Sequence, residues 1–182
     1  MVISRKGILK YRIDITGVGG HSGIHYFECK NAVAEAAHKV VALCEKRALG
    51  GITYSCNIMQ GGILPNIVPD HCSVTIDVRV PRQAQRAEAE KTVRQIAETG
   101  FIGGTSATVT CIGRCPPMEK NPAAMALFEN LLAVCRKYGL GSLAPVESAA
   151  ALILATPRRP AFLPFAEWAA AANSATQIKN TY

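Results

Sequence analysis

Three polar side chains could do chemistry together, because the residues around each of them fix its position. His21 is surrounded by the glycines of GVGGHSG, and Asn66 is bracketed by two prolines in LPNIVP. Arg79 ends a stretch in which apolar and polar residues alternate. An imidazole can donate a hydrogen bond to developing negative charge, and a planar guanidinium matches a carboxylate. These residue types therefore suit a site for a carboxylate-bearing molecule.

Each of these residues also has a structural explanation. His21 could complete a turn in its glycine-rich loop, and Asn66 between prolines is typical of turn chemistry. Arg79 lies two residues from Asp77, a spacing that fits a solvated surface pair of small energetic value. His21 and His25 are separated by three residues, but a metal site needs further ligands that the neighbouring sequence does not supply. Both kinds of explanation stay open at this point.

The composition restricts the class of protein. The chain has 182 residues, of which 49% are hydrophobic and 18% charged, as in a globular domain. The net charge is +7, but the basic residues are scattered and no aromatic residues alternate with them, which argues against nucleic-acid binding. The longest apolar run, 149–155, is too short for a membrane helix, and Met1 is not followed by a signal peptide. We therefore expect a cytoplasmic protein.

Seven cysteines occur at irregular spacings without a CxxC pair. An odd number of cysteines in that pattern indicates neither a disulfide framework nor a zinc knuckle. We interpret them as reduced packing residues.

The elements that position the candidate residues follow from periodicity. Alternating residues predict strands at 8–16, 52–58, 73–80 and 107–111, and three-to-four spacing predicts helices at 29–47 and 83–98. The predicted inward face of the first helix comprises Val33, Ala36, Ala37, Val40 and Cys44. The order strand, helix, strand, strand, helix, strand predicts an α+β, ferredoxin-like βαββαβ domain over residues 6–115. Its four-stranded antiparallel sheet would carry both helices on one face.

Segments of this chain resemble a known family. GVGGHSG, then NAVAEAAHKVVAL, then QGGILPNIVPDHCSVTIDVR occur in an order similar to the lid (dimerisation) domain of the M20 metallopeptidases. That family includes carboxypeptidases and N-acyl-amino-acid amidohydrolases. The resemblance covers about residues 6–148. It implies a lid inserted into a zinc-dependent catalytic domain and paired with a second lid in a homodimer.

The resemblance also implies roles for the candidate residues. His21 would reach the partner subunit's active site and stabilise an oxyanion, Asn66 would hydrogen-bond the substrate, and Arg79 would bind the substrate carboxylate. The substrate would be a small peptide or an N-acyl amino acid. We expect the three side chains to share one rim of the sheet.

Metal-assisted hydrolysis in this family uses two zinc ions held by His, Asp and Glu, with a Glu as general base. The sequence has no HxD motif, no adjacent Glu pair and no histidine after His71. We therefore expect that this chain binds no metal by itself, hydrolyses nothing alone and is a fragment truncated at both ends. The alternative is a free-standing ferredoxin-like module that binds or senses a small carboxylated ligand through Arg79.

The C-terminal third divides into two predicted segments. Residues 116–148 contain a helix that begins at Asn121 and Pro122 and ends at Gly139, and by the resemblance it returns to the catalytic domain. Residues 149–182 fit neither the helical nor the strand period for long. Shifting the reading frame with suitable codons yields a family-like HTDQEY near the end. We hypothesise a frameshifted tail, with a divergent C-terminus as the alternative.

Overall fold

A computed structural model describes residues 1–46 and 49–148, so the predicted aberrant tail lies outside the described residues. Short 3-10 turns occur at Leu49–Gly51 and Gln83–Gln85. The strands and helices, in chain order, are β1 (Val2–Arg5), β2 (Gly7–Thr16), β3 (Gly20–His21), α1 (Ala32–Glu45), β4 (Thr53–Gly61), β5 (Ile67–Val68), β6 (His71–Val80), α2 (Arg86–Glu98), β7 (Ser106–Cys115), α3 (Pro122–Tyr138) and β8 (Val146–Ser148).

The main sheet has the strand order β4-β6-β2-β7, and every neighbouring pair is antiparallel. This is the predicted ferredoxin-like α+β fold, which is thereby confirmed. Two smaller pairs, β3 with β5 and β1 with β8, were not predicted. Their strands have only two to four residues, too few to show a period in the sequence.

The core lies between this sheet and the two helices α1 and α2. Alternation places one side of each central strand in that core, because successive side chains of a strand point to opposite faces. The buried strand residues include Leu9, Tyr11, Ile13, Ile15, Val74, Ile76, Val78 and Val80. We call the other side of the sheet, which carries Arg12, Asp14, Ser73, Asp77 and Arg79, the polar face.

Helix α1 differs from its prediction in two respects. It begins three residues later than expected, because the Asn31 side chain accepts hydrogen bonds from the backbone N–H groups of Val33 and Ala34 and caps the helix there. Its orientation is also different, since Ala37 and Cys44 of the predicted inward face are exposed. Ala36 is buried as predicted, and the other buried residues of the helix are Ala32, Glu35, Lys39 and Leu43.

Helix α3 has the ends that the sequence predicts. The Asn121 side chain accepts from the N–H of Ala124, Pro122 occupies the first turn, and Gly139 ends the helix with a φ of 62°. Among the described residues, no helix is both long enough and apolar enough to cross a membrane.

Candidate functional site

His21 and Asn66 lie side by side at one end of the sheet, which we call the tip. Strands β3 and β5 pair there, with His21 opposite Ile67. The backbone N–H and the hydroxyl of Ser22 both donate to the carbonyl oxygen of Asn66, at 3.0 and 3.1 Å. The structure therefore brings two of the three predicted site residues together.

The loop that carries His21 is closed at its base. Val18 and Lys30 exchange two backbone hydrogen bonds of 2.9 and 2.8 Å. Gly17 permits this approach, because a Cβ atom at that position would lie only 2.0 Å from the carbonyl oxygen of Lys30. A larger residue at Gly17 would displace the loop from its base, so this glycine positions the tip.

The imidazole of His21 has a defined donor and acceptor side. Its Nδ1 accepts a hydrogen bond of 3.1 Å from the backbone N–H of Gly23. In the neutral ring the proton then resides on Nε2, which leaves Nε2–H as an exposed donor. The same contact also completes a turn, so the structural explanation and the functional one for His21 coexist. Asn66 is likewise exposed, and within the described residues its side-chain amide makes no hydrogen bond.

Arg79 lies at the opposite end of the sheet, which we call the hinge end. Strand β6 begins at His71 beside the tip and runs to Val80, which pairs with Gly7. Arg79 lies eight positions after His71 in β6, and at a rise of about 3.3 Å per residue the distance along the strand is about 26 Å. The expectation that all three residues share one rim is therefore wrong within a single chain. The reason is that most of the sequence between Asn66 and Arg79 forms one extended strand.

The guanidinium of Arg79 is engaged by its neighbour. Both Nε and Nη2 donate to the two carboxylate oxygens of Asp77, and the side chains of this pair are part-buried. The two-residue spacing places both side chains on the polar face. A substrate carboxylate at Arg79 would have to compete with this pair.

Metal ligands do not cluster in the described part of the chain. No group of three or more His, Cys, Asp or Glu side chains there could hold an ion. Among these groups, the His25 imidazole lies 3.2 Å from the Glu28 carboxylate, and the His71 imidazole lies 3.9 Å from that of Asp14. The two zinc ions implied by the family resemblance therefore do not fit the described residues.

Strand β4 forms one edge of the sheet, since it pairs with β6 alone among the described strands. Helix α1 lies beside it, and the Cys44 thiol on α1 neighbours the Cys56 thiol on β4. Burial, together with the neighbouring Cys44 thiol, raises the pKa of Cys56 to about 12, so this thiol is uncharged at neutral pH. Val41 on α1 is 55% exposed, and Ile58 and Met59 on β4 are also exposed. An unpaired edge with an apolar border is typical of a surface that pairs with another chain.

The fold and the tip define a class, a ferredoxin-like domain whose sheet ends in the edge strands β4 and β7. The family model for the peptidase dimerisation domain of the M20 type matches residues 3–105. The chain therefore belongs to the M20 peptidase dimerisation-domain family. Enzymes of the M20 type are generally metal-dependent.

Solved structures share this fold. An aminopeptidase PepT from Bacillus cereus superposes with a TM-score of 0.67 at 17% identity, over 82% of this chain and 40% of that one. An amidase of the hydantoinase/carbamoylase family from Burkholderia vietnamiensis gives 0.66 at 22% identity, over 82% and 37%. A tripeptidase from Staphylococcus aureus gives 0.66 at 19% identity, over 82% and 40%. The chain thus spans about two fifths of these relatives, and the similarity establishes the fold. No curated protein sequence matches the chain.

Proposed function

We propose that this chain is the dimerisation and substrate-capping lid of a zinc-dependent M20-type hydrolase. The reaction would be hydrolysis of an amide or peptide bond next to a carboxylate-bearing residue, in a small peptide or an N-acyl amino acid. The observation that carries the proposal is the placement of His21 and Asn66 together at the tip, with Arg79 about 26 Å away along β6.

A homodimer resolves that separation. On β4, Gly61 lies near the tip, whereas Thr53 lies opposite Arg79 at the hinge end. If two copies pair antiparallel through β4, the Gly61 end of one copy adjoins the Thr53 end of the other. The tip of one subunit then faces the Arg79 end of its partner. Each complete substrate site would use residues from both chains.

The residues have distinct tasks in such a site. The Nε2–H of His21 would donate to the oxygen that becomes negative as the amide carbon turns tetrahedral. The Asn66 side chain would hydrogen-bond the substrate. Arg79 would exchange its contact with Asp77 for the substrate carboxylate. Metal ligands would come from a separate catalytic domain, so the 182-residue chain alone should show no hydrolase activity.

The proposed interface can be tested with two variants, each of which introduces one charged side chain at a different edge of the sheet. We expect sedimentation equilibrium to show a dimer for the native chain. Val41→Glu should raise the dimer dissociation constant at least about tenfold, because it buries an unpaired carboxylate beside β4. Thr110→Glu, an exposed residue on the opposite edge strand β7, is the matched control and should leave the dimer unchanged. A monomeric native chain, or greater disruption by Thr110→Glu, would contradict the proposal.

A further inference from the structure

A cavity of about 590 Å³ lies within one chain, between the tip and the polar face. This volume is in the usual range for small-molecule sites. Polar side chains from three strands line it, namely Arg12 of β2, Gln60 of β4, and His71 and Ser73 of β6. Its apolar wall is formed by Ile63, Ile67, Val68 and Pro69.

Arg12 differs from Arg79 in how many of its nitrogens are engaged. Both arginines lie on the polar face two residues from an aspartate. Arg12 uses only Nε to bind Asp14, at 2.8 Å, and its two terminal nitrogens have no hydrogen bond within the described residues. Arg79 uses Nε and one terminal nitrogen for Asp77. Both terminal nitrogens of Arg12 can therefore bind one carboxylate, whereas one terminal nitrogen of Arg79 already binds Asp77.

The other lining groups restrict the ligand further. His71 Nε2 lies 3.9 Å from Asp14, which is beyond hydrogen-bonding distance, so its ring can contact a ligand. Asp70 also lines the cavity, and its negative charge disfavours a second carboxylate on the ligand. The adjacent Ile63 and Ile67 are both exposed, so an apolar substituent could cover them.

We propose that this cavity binds a small monocarboxylate that carries an apolar substituent. The carboxylate contacts the terminal nitrogens of Arg12, Gln60 and His71 provide further hydrogen bonds, and the substituent packs on Ile63 and Ile67. The site goes beyond the proposed lid function, because it needs neither a second subunit nor a metal. It also assigns to Arg12 a carboxylate site that is separate from the one proposed at Arg79.

Glycine amides make this proposal directly testable. Of the 15 glycines in the chain, those lining the cavity are Gly19, Gly20, Gly61 and Gly62. We expect titration of the 15N-glycine-labelled full chain with N-acetyl-leucine to shift these amide signals, with roughly millimolar affinity for a ligand of this size. Gly50 and Gly51, which lie beside Gln85 and Pro81 at the hinge end, serve as internal references and should not move. N-acetyl-leucine amide, which lacks the carboxylate, should bind at least about tenfold more weakly.

A second carboxylate-paired arginine provides a matched variant. Arg12→Gln should weaken N-acetyl-leucine binding by about tenfold to a hundredfold. Arg94→Gln, which removes an exposed arginine of α2 that is likewise bound to a carboxylate, should leave binding unchanged. His71→Ala should weaken binding by a smaller factor and serves as a second test should Arg12→Gln alter the fold. The assignment would be overturned if the cavity glycines did not shift or if the amide bound as tightly as the acid. It would also be overturned if Arg94→Gln weakened binding as much as Arg12→Gln. Dimer formation is measured separately from ligand binding. If the cavity does not bind N-acetyl-leucine but the chain dimerises, only the cavity proposal fails. If the chain is monomeric but binds N-acetyl-leucine, only the lid proposal fails.

Discussion

At the scale of single residues, the most consequential feature is an ion pair buried inside the domain. Glu35 and Lys39 are 1% and 2% exposed, and their charged groups lie 2.7 Å apart. The carboxylate of Glu35 also accepts hydrogen bonds from the backbone N–H groups of Phe101 and Ile102. These bonds attach α1 to the connection between α2 and β7.

Lys39 completes the arrangement. Its ammonium group donates to three carbonyl oxygens at the end of α2, those of Ile96, Ala97 and Thr99. Cations at a helix C-terminus are favourable because the last carbonyl groups lack partners in the helix. Within the described residues, no buried side-chain nitrogen or oxygen atom lacks a hydrogen-bond partner. The pair is therefore a fully bonded link between elements.

We predict that Glu35→Gln lowers the free energy of unfolding by about 3–5 kcal/mol, because it leaves the buried Lys39 charge without its partner. The control is Glu90→Gln, which removes an exposed carboxylate with the same four-residue spacing to Arg94. That change should cost less than about 1 kcal/mol. Urea denaturation of both variants measures the difference in the free energy of unfolding. Equal decreases would show that the buried Glu35–Lys39 pair stabilises the fold no more than the exposed Glu90–Arg94 pair.

The same residue predicts how stability depends on pH. Burial by itself raises the pKa of Glu35, but the hydrogen bonds from Lys39, Phe101 and Ile102 outweigh burial and hold the pKa below its ordinary value of 4.5. A group with a lower pKa in the folded state contributes stability above its unfolded pKa and loses it as the pH falls through its folded pKa. Below pH 4.5 the native chain should therefore lose stability more steeply than Glu35→Gln. Parallel acid-unfolding curves would contradict this.

At the scale of elements, the cap of α1 connects the helix to the tip. Asn31 accepts two backbone hydrogen bonds, of 2.9 and 3.0 Å, directly after the loop that carries His21. The adjacent Lys30 closes that loop by pairing with Val18. The residue that caps the helix directly follows the residue that closes the loop. A substitution that displaces the start of α1 should therefore also displace the loop that carries His21.

We predict that Asn31→Ala destabilises the lid by about 1 kcal/mol and shifts the amide signals of Gly17, Gly20 and Gly23. Asn121→Ala removes the equivalent cap of α3 and is the matched control. It should affect α3 while leaving the three tip glycines unchanged. 15N-glycine spectra together with thermal unfolding distinguish the variants. Tip signals that respond to Asn121→Ala, or that ignore Asn31→Ala, would show that the cap does not position the tip.

At the scale of the whole molecule, the separation of the tip from Arg79 gives the proposed dimer a specific pattern of complementation. Each site would combine the tip of one subunit with the Arg79 end of the other. A subunit with a defective tip and a subunit with a defective Arg79 would then form one intact site and one doubly defective site. Two subunits that both have defective tips would form no intact site.

This pattern can be measured by grafting residues 7–115 in place of the equivalent lid of an active M20 relative. His21→Ala and Arg79→Ala chimeras should each lose activity, and equal mixing with subunit exchange should restore about a quarter of the unmutated chimera's activity. The fraction is a quarter because half of the dimers are mixed and each of these has one intact site. The control mixture of His21→Ala with Asn66→Ala should restore none. Recovery in that control would place the two tip residues in different sites.

Much of this protein follows from local sequence. Alternation in β2 and β6 reports which side of each strand is buried, so the fold class was predicted, and it is confirmed. The family was predicted from the resemblance of three sequence segments, and it is also confirmed. Asn121 and Gly139 define the ends of α3 because capping depends on neighbours a few residues away. His21 and Asn66 could be singled out for a similar reason, since glycines and prolines restrict the backbone beside them.

Tertiary structure alone decided the rest, because those features depend on residues distant in sequence. From sequence alone, charged side chains at Glu35 and Lys39 indicate a solvated helix face. In the structure both are buried, and they form hydrogen bonds with backbone N–H and carbonyl groups of residues 96–102. The pairing of β3 with β5 joins the loops of His21 and Asn66 across more than forty residues. Because that pairing holds both loops beside the start of β6, Arg79 at the far end of the strand is separated from them. Periodicity predicts the type of each element and its buried face from nearby residues, whereas pairing between distant segments determines which side chains lie close together.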